Sequence, residues 1–183
     1  MRITGGEARG KLIPVQKGTL VRPTPDRVRE SFFNIISTIA GKSFLDIFAG
    51  SGIVGLEALS RGATNVVFIE KDPRIAETLK NTINKTGFAL KTEIIAAPAM
   101  KAIEALVFRG ERFDIIFADP PYNKGMAGES LGFINLEKLM AKDALFVLQH
   151  SKKEVIGQLQ TAPLLLMDQR KYGDTVLSFF ERE

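Results

Sequence analysis

The sequence predicts an α/β protein with a mainly parallel sheet that ends in an antiparallel hairpin. Three observations carry this prediction. From residue 43 onward, short apolar runs alternate with helix-period stretches, the pattern of parallel strands joined by helical crossovers. The first of these runs leads into Gly50-Ser-Gly52-Ile-Val-Gly55, a tight turn that opens a helix. The last two runs are separated only by Tyr172-Gly173-Asp174, a connection too short for anything but an antiparallel pair.

The elements follow in chain order. Residues 1–22 interleave short apolar pieces with Gly5, Gly6, Gly10 and Gly18, which suits a β-hairpin or extended arm. Thr24 and Pro25 give a helix start, threonine as N-cap and proline as first helical residue, with Asp26 favourable to the dipole. Val28, Phe32, Ile35, Ile36 and Ile39 then form one apolar helical face, and Gly41 stops the helix. Strands are expected at 44–48, 66–69, 92–96, 113–118 and 144–148, with helices near 53–61, 73–86, 98–108 and 129–141. Strands at 163–170 and 175–181 complete the sheet. Residues 1–40 are thus read as a basic N-terminal hairpin-and-helix extension, and 41–183 as the main domain.

Composition narrows the chemistry. At 183 residues and 45% hydrophobic, the chain can build one core without staples. It has no cysteine and a single histidine, which excludes a disulfide framework, Cys-ligated zinc and a thiolate nucleophile, and argues against a His-rich metal site. No metal is expected. With no long apolar run and no charged-then-apolar leader, the expectation is a cytoplasmic protein with no membrane partner. The charge is lopsided. Residues 1–29 hold seven basic groups (Arg2, Arg9, Lys11, Lys17, Arg22, Arg27, Arg29) against Glu7 and Asp26, a net +5, whereas the rest of the chain is −1. A basic segment on a near-neutral body suits a polyanion, although a merely solvated face would look the same.

The glycine loop marks a nucleoside cofactor site. Gly50, Gly52 and Gly55 satisfy G-x-G-x-x-G, and Glu70 closes the second strand eighteen residues after Gly52, where a carboxylate can accept both ribose hydroxyls. An NAD-type cofactor and adenosylmethionine would both want that acid. Asp46 favours the second, because a carboxylate inside the first strand suits a cationic amino-acid end. An edge acid bonded to nearby amides remains the bland alternative.

The fourth strand runs into Asp119-Pro120-Pro121-Tyr122, which in an open α/β sheet should face the glycine loop. Two prolines stiffen the turn and remove competing donors. The Asp119 carboxylate and Pro120 carbonyl are then two acceptors for one –NH₂ group, and Tyr122 offers a stacking face. A base amine is a poor nucleophile because its lone pair is delocalised. Acceptors on its hydrogens orient that pair toward an electrophile, so transfer needs alignment and electrostatics rather than a metal. A rigid strand-end turn with a packed tyrosine is the structural alternative. His150 at the end of the fifth strand reads as structural.

Together these residues resemble the class I adenosylmethionine-dependent amino-methyltransferases with an (Asn/Asp/Ser)-Pro-Pro-(Tyr/Phe) motif. More narrowly, Met1-Arg-Ile-Thr-Gly-Gly-Glu-Ala-Arg-Gly-Lys-Leu12, Val21-Arg-Pro-Thr-Pro-Asp-Arg-Val-Arg-Glu30, Phe33-Asn-Ile35, Ile69-Glu-Lys-Asp72 and Tyr172-Gly-Asp-Thr175 resemble the bacterial 16S ribosomal RNA guanine-N2 methyltransferase D family. The resemblance implies a Rossmann-like fold and methyl transfer from S-adenosylmethionine to the N2 amine of a guanine in 16S ribosomal RNA, at the site conventionally numbered 966. The partner is then that RNA or the assembling small subunit. It assigns Asp46, Phe48, Gly50, Gly52, Glu70, Lys71 and Ala99 to the cofactor, and Asp119, Pro120, Pro121 and Tyr122 to the guanine amine. Arg2, Arg9, Lys11, Arg22, Arg27 and Arg29 fall to RNA, with helix packing as the alternative role for Arg27 and Arg29. A DNA adenine or cytosine amino-methyltransferase, or a dinucleotide-binding protein without methyl transfer, are the competing readings. One position departs from the family: Pro98-Ala99 stands where an Asp-Ala or Asn-Ala pair often receives the adenine amine, so the expectation is that Pro98→Asn tightens cofactor binding.

Overall fold

The computed structural model describes residues 1–14, 25–36, 38–121, 127, 130, 136–154, 156 and 164–183. Its frame is a seven-stranded sheet: β1 (Ser43–Ile47), β2 (Asn65–Ile69), β3 (Thr92–Ile95), β4 (Phe113–Ala118), β5 (Met140–Ser151), β6 (Leu164–Tyr172) and β7 (Thr175–Arg182). The order is β3-β2-β1-β4-β5-β7-β6. The first five strands in that order are parallel, and β7 pairs antiparallel with both β5 and β6. This is the predicted architecture, with the order reversing between β1 and β4, where ligands of open α/β sheets bind.

The central strands are apolar on both sides because both faces are covered. Helices α1 (Asp26–Ile35), α2 (Ile53–Ser60) and α3 (Pro73–Thr86) share one core with Phe44, Phe68, Phe117 and Phe179. Helix α4 (Ala99–Phe108) covers the other face over Leu45, Val67, Ile116 and Phe146. All eight residues of α2 are buried, so this helix sits in the middle of its layer. The N-terminal residues belong to the same core: Ile3, Ala8 and Ile13 are buried in it, and an isolated Arg2–Leu12 bridge closes a small antiparallel loop. Residues 1–14 are therefore packed onto the main body.

Element ends show where local signals suffice. Helix α3 runs over the predicted 73–86 because Asp72 caps it by accepting from the Arg74 N–H, Pro73 starts it, and Gly87 ends it at φ +86°. Three expectations need correction. Helix α1 starts at Asp26 with Pro25 as N-cap, and it ends at Ile35 rather than near Gly41, while Thr24 lies outside the described residues. Its buried face is Val28, Arg29, Phe32 and Phe33, with Ile35 exposed, so Ile39 reaches the core from beyond the helix. The helix expected at 129–141 cannot extend so far, because Leu136–Leu139 is a 3₁₀ turn and Met140 already pairs with Phe113 as part of β5.

Candidate active site

The site gathers at the carboxyl ends of β1, β2, β3 and β4. Ile47 stands beside Ile69 on one side and Ala118 on the other, so the turns leaving these strands share one rim. The first turn is built from unusual backbone. Phe48 has φ +65°, Gly50 +54° and Gly52 +72°. A bulky residue in that region costs about 1–3 kcal/mol, a strain that persists where the surroundings over-determine it. Glycine at 50 and 52 avoids the same cost, and a Cβ on Gly52 would also strike Leu79. Gly55 serves packing instead: a Cβ there would meet Phe68 and Val66, so its absence lets α2 lie close on β2.

Two carboxylates hold this turn. Asp46 accepts from the Gly55 N–H at 3.0 Å, fixing the first turn of α2 to β1. Glu70 accepts from the Gly50 N–H at 2.9 Å with one oxygen and from the Asp72 N–H at 2.9 Å with the other. The fourth strand joins them through the Asp119 N–H, which donates to the Ile47 carbonyl at 3.4 Å. Asp119 is half-buried, Pro120 buried and Pro121 exposed.

Asp46 stands in an acidic setting on this rim. Burial first, then the Asp119 and Glu70 charges, push the Asp46 carboxyl up to about 8, against the opposing hydrogen bond from Gly55. Asp46 thus feels two acidic neighbours across the strand ends, and among the described residues no cation offsets them there. A ligand that brings positive charge to Asp46 would relieve this, which is the fit expected of a sulfonium bearing an ammonium.

A buried network of opposite character lies behind the rim. Glu57 of α2 accepts from Arg29 Nε at 2.5 Å, from Arg61 Nη2 at 2.7 Å, and from the Thr4 hydroxyl. Arg29 also donates to the Arg2 carbonyl at 2.7 Å and to Asp26 at 3.1 Å. The Arg29 and Glu57 side chains are fully buried. These donors hold the Glu57 carboxyl below the usual range despite its burial. Sequence reasoning missed this network, since the only local sign is an acid inside the apolar stretch Ile53-Val-Gly-Leu-Glu-Ala-Leu-Ser60.

The sequence-predicted residues divide accordingly. Asp46, Phe48, Gly50, Gly52 and Glu70 come together on the rim with Asp119, Pro120 and Pro121. Lys71 is exposed beside Glu70, and Ala99 opens α4 just past the end of β3. Tyr122 and Arg22 lie outside the described residues. Arg2, Arg9 and Arg27 are exposed. One basic residue needs correction. Arg29 is 1% exposed and spent on Glu57, Asp26 and the Arg2 carbonyl, so it binds the fold and not RNA. Lys11 donates to the Thr86 carbonyl at the last turn of α3, the end of that helix away from the rim. His150 is buried, and its Nδ1 faces the Ser151 carbonyl at 2.9 Å while its Nε2 meets the Ser178 hydroxyl at 2.8 Å. Both ring nitrogens are satisfied by a neutral imidazole that donates from Nδ1, and burial lowers its basicity. This is the structural role expected for it. Among the described residues, no group of three or more His, Cys, Asp or Glu side chains could hold a metal ion, and no helix is long and apolar enough to cross a membrane.

Comparison with known proteins adds to this geometry. The model of a family described as conserved hypothetical protein 95 matches residues 1–181. The ribosomal RNA small subunit methyltransferase D of Escherichia coli K12 is 33% identical over 186 residues, covering 100% of this chain and 90% of the relative. Its namesake from Haemophilus influenzae is 32% identical over 154 residues, covering 83% of this chain and 79% of the relative. A solved structure of a hypothetical protein from Thermus thermophilus superposes with a TM-score of 0.81 at 35% identity, over 98% of each chain.

Proposed function

The chain belongs to the conserved hypothetical protein 95 family, among relatives named ribosomal RNA small subunit methyltransferase D, and from that premise we propose that it methylates small-subunit ribosomal RNA with adenosylmethionine as donor. The finer reading is transfer to the N2 amine of a guanine, at the position conventionally numbered 966. One observation supports methyl transfer to an amine: Asp46, a buried carboxyl that no described cation offsets, shares a rim with an Asp-Pro-Pro turn.

Adenosylmethionine, when bound, supplies an electrophilic methyl carbon on a sulfonium. Asp46, Phe48, Gly50 and Gly52 would hold its methionine end, Glu70 its ribose, with Lys71 beside them, and the Ala99 N–H its adenine ring. The Glu70 oxygens that now brace Gly50 and Asp72 can accept ribose hydroxyls at their remaining lone pairs. On the acceptor side, the Asp119 carboxylate and the Pro120 carbonyl take the two amine hydrogens and orient the nitrogen lone pair. Transfer would break the methyl carbon–sulfur bond as the N–C bond forms, leaving the sulfur as a neutral thioether, and Asp119 would accept the proton that the nitrogen sheds. Tyr122 would stack on the base. Alignment and desolvation supply the rate, with no covalent enzyme intermediate. A guanine stacked inside a helix cannot reach this rim, so the substrate is an exposed or flipped nucleotide.

Isotope-labelled adenosylmethionine tests this when offered with protein-free 16S RNA, assembled small subunits and duplex DNA. The expected result is label in RNA or subunits as N2-methylguanosine. Label in DNA, or in a base amine other than guanine N2, contradicts the finer reading.

A further inference from the structure

Following the rim past Asp119 leads to a part of the molecule that the cofactor and methyl acceptor do not use. Strand β5 ends at Ser151, which faces Thr175, the first residue of β7. The β6–β7 turn at Tyr172–Gly173–Asp174 therefore lies on the same carboxyl rim as Asp119, two to three strand positions away, or about 10–15 Å at the usual strand spacing. The first turn of α1 comes to meet it. Between the two is an open cleft of about 300 Å³ lined by Pro25, Arg27, Val28, Lys171, Tyr172 and Gly173.

The cleft is built and polarised. Val28 is buried beneath it, and the Tyr172 hydroxyl is bonded to Ser31, which fixes one wall. Arg27 and Lys171 are exposed at its mouth from two elements far apart in sequence. The acids that flank its lining residues are already engaged: Asp26 with Arg29 at 3.1 Å, and Asp174 with Lys152 at 2.7 Å. Two cations facing one concave space suit a phosphodiester, because each phosphate neutralised releases counterions.

We propose that this Arg27–Lys171 cleft binds a phosphate of the RNA strand adjoining the target nucleotide. It extends the RNA surface from the basic N-terminal segment to the C-terminal hairpin, and it rests on the RNA reading above. Its place beyond β4 on one rim sets an order: cofactor at β1–β2, acceptor base at β4, flanking strand at β7–β6. A strand running this way keeps its backbone clear of the three rim acids.

The test compares Arg27→Ala/Lys171→Ala with Lys85→Ala/Lys91→Ala, which removes the same charge at the opposite end of the sheet. Binding to protein-free 16S RNA is measured against salt, alongside adenosylmethionine affinity. The rim pair is expected to weaken RNA binding roughly 10- to 30-fold near 0.1 M salt and to flatten the log–log slope by about 1.4, about 0.7 per cation. Cofactor affinity and the control pair should not change. An unmoved slope, or equal effects from both pairs, overturns the cleft. A loss seen with assembled subunits but not with protein-free RNA also overturns it, and points to a ribosomal protein instead. Wild-type methyl transfer separates the two levels. Transfer with an unmoved slope defeats the cleft alone, whereas no transfer and no RNA affinity defeats the RNA reading with it.

Discussion

Asp46 on β1 and Glu57 on α2 are both buried carboxylates, yet they stand in opposite electrical surroundings. Glu57 is matched inside the fold by Arg29, Arg61 and Thr4, and its carboxyl is held low. Asp46 has one backbone donor and two acidic neighbours, and its carboxyl is pushed up to about 8. A charge matched at folding ties the fold together, here the N-terminal segment to α1 and α2. A carboxyl left unmatched after folding is available to a cationic ligand that draws off its proton. The difference separates architecture from site more sharply than burial does, since both side chains are out of water.

The largest expected effect is on the matched side. Glu57→Ala strands the buried Arg29 guanidinium, and breaking such a pair from one side costs about 3–5 kcal/mol. Denaturant unfolding should show that loss. An unfolding free energy within about 1 kcal/mol of wild type would mean that the network does not carry the N-terminal segment.

On the unmatched side, Asp119→Ala should lower methyl transfer by about 10²–10³-fold or more, the scale of removing one aligned polar group at a reacting centre. Adenosylmethionine affinity should stay near wild type. Retained turnover would reduce the Asp-Pro-Pro turn to scaffolding, and lost affinity would move Asp119 to the cofactor.

Acidity sharpens the contrast without changing a ligand. Because the folded Asp46 carboxyl binds its proton more tightly than the unfolded one, it draws stability away as pH rises from about 4 to about 8. His150 has the reverse sign: burial lowers its folded value, so its contribution is present above its ordinary 6.5 and is lost as pH falls below that. Asp46→Asn should therefore flatten the decline between pH 6.5 and 8 while leaving the acid-side loss. Chemical unfolding of both proteins across that range reads it directly, and identical slopes would show that Asp46 is ionised like an ordinary aspartate.

The smallest effect is at Pro98, exposed as the N-cap of α4 with no side-chain cap bond. Asparagine there supplies both a cap and an acceptor for an adenine amine. Pro98→Asn should tighten adenosylmethionine several-fold by calorimetry. Unchanged or weaker affinity would take the adenine ring away from Ala99.

Much of this contrast was legible beforehand, and the gaps have physical causes. The rim was readable because strand period, glycine loop and Asp-Pro-Pro turn are local signals, and topology alone brings the strand ends together. Helix α3 was readable for the same reason, with Asp72, Pro73 and Gly87 marking its ends. The matched network was not, because Thr4, Arg29 and Glu57 meet only through packing across as many as 53 residues. For that reason Arg29 looked like part of a basic surface. The length of β5 was hidden too, since it comes from pairing with β4 and β7 rather than from its own apolar run.

Calorimetric titration of adenosylmethionine into the wild type and Asp46→Asn, from pH 6 to 8.5, puts the unmatched carboxylate to the question. Wild-type affinity should rise toward pH 8 with proton release from Asp46, then level as the ligand's own amine loses its charge near that pH. The variant should bind at least about tenfold more weakly, with no such rise. Equal affinity and equal pH dependence in the two proteins would contradict a cationic ligand at Asp46.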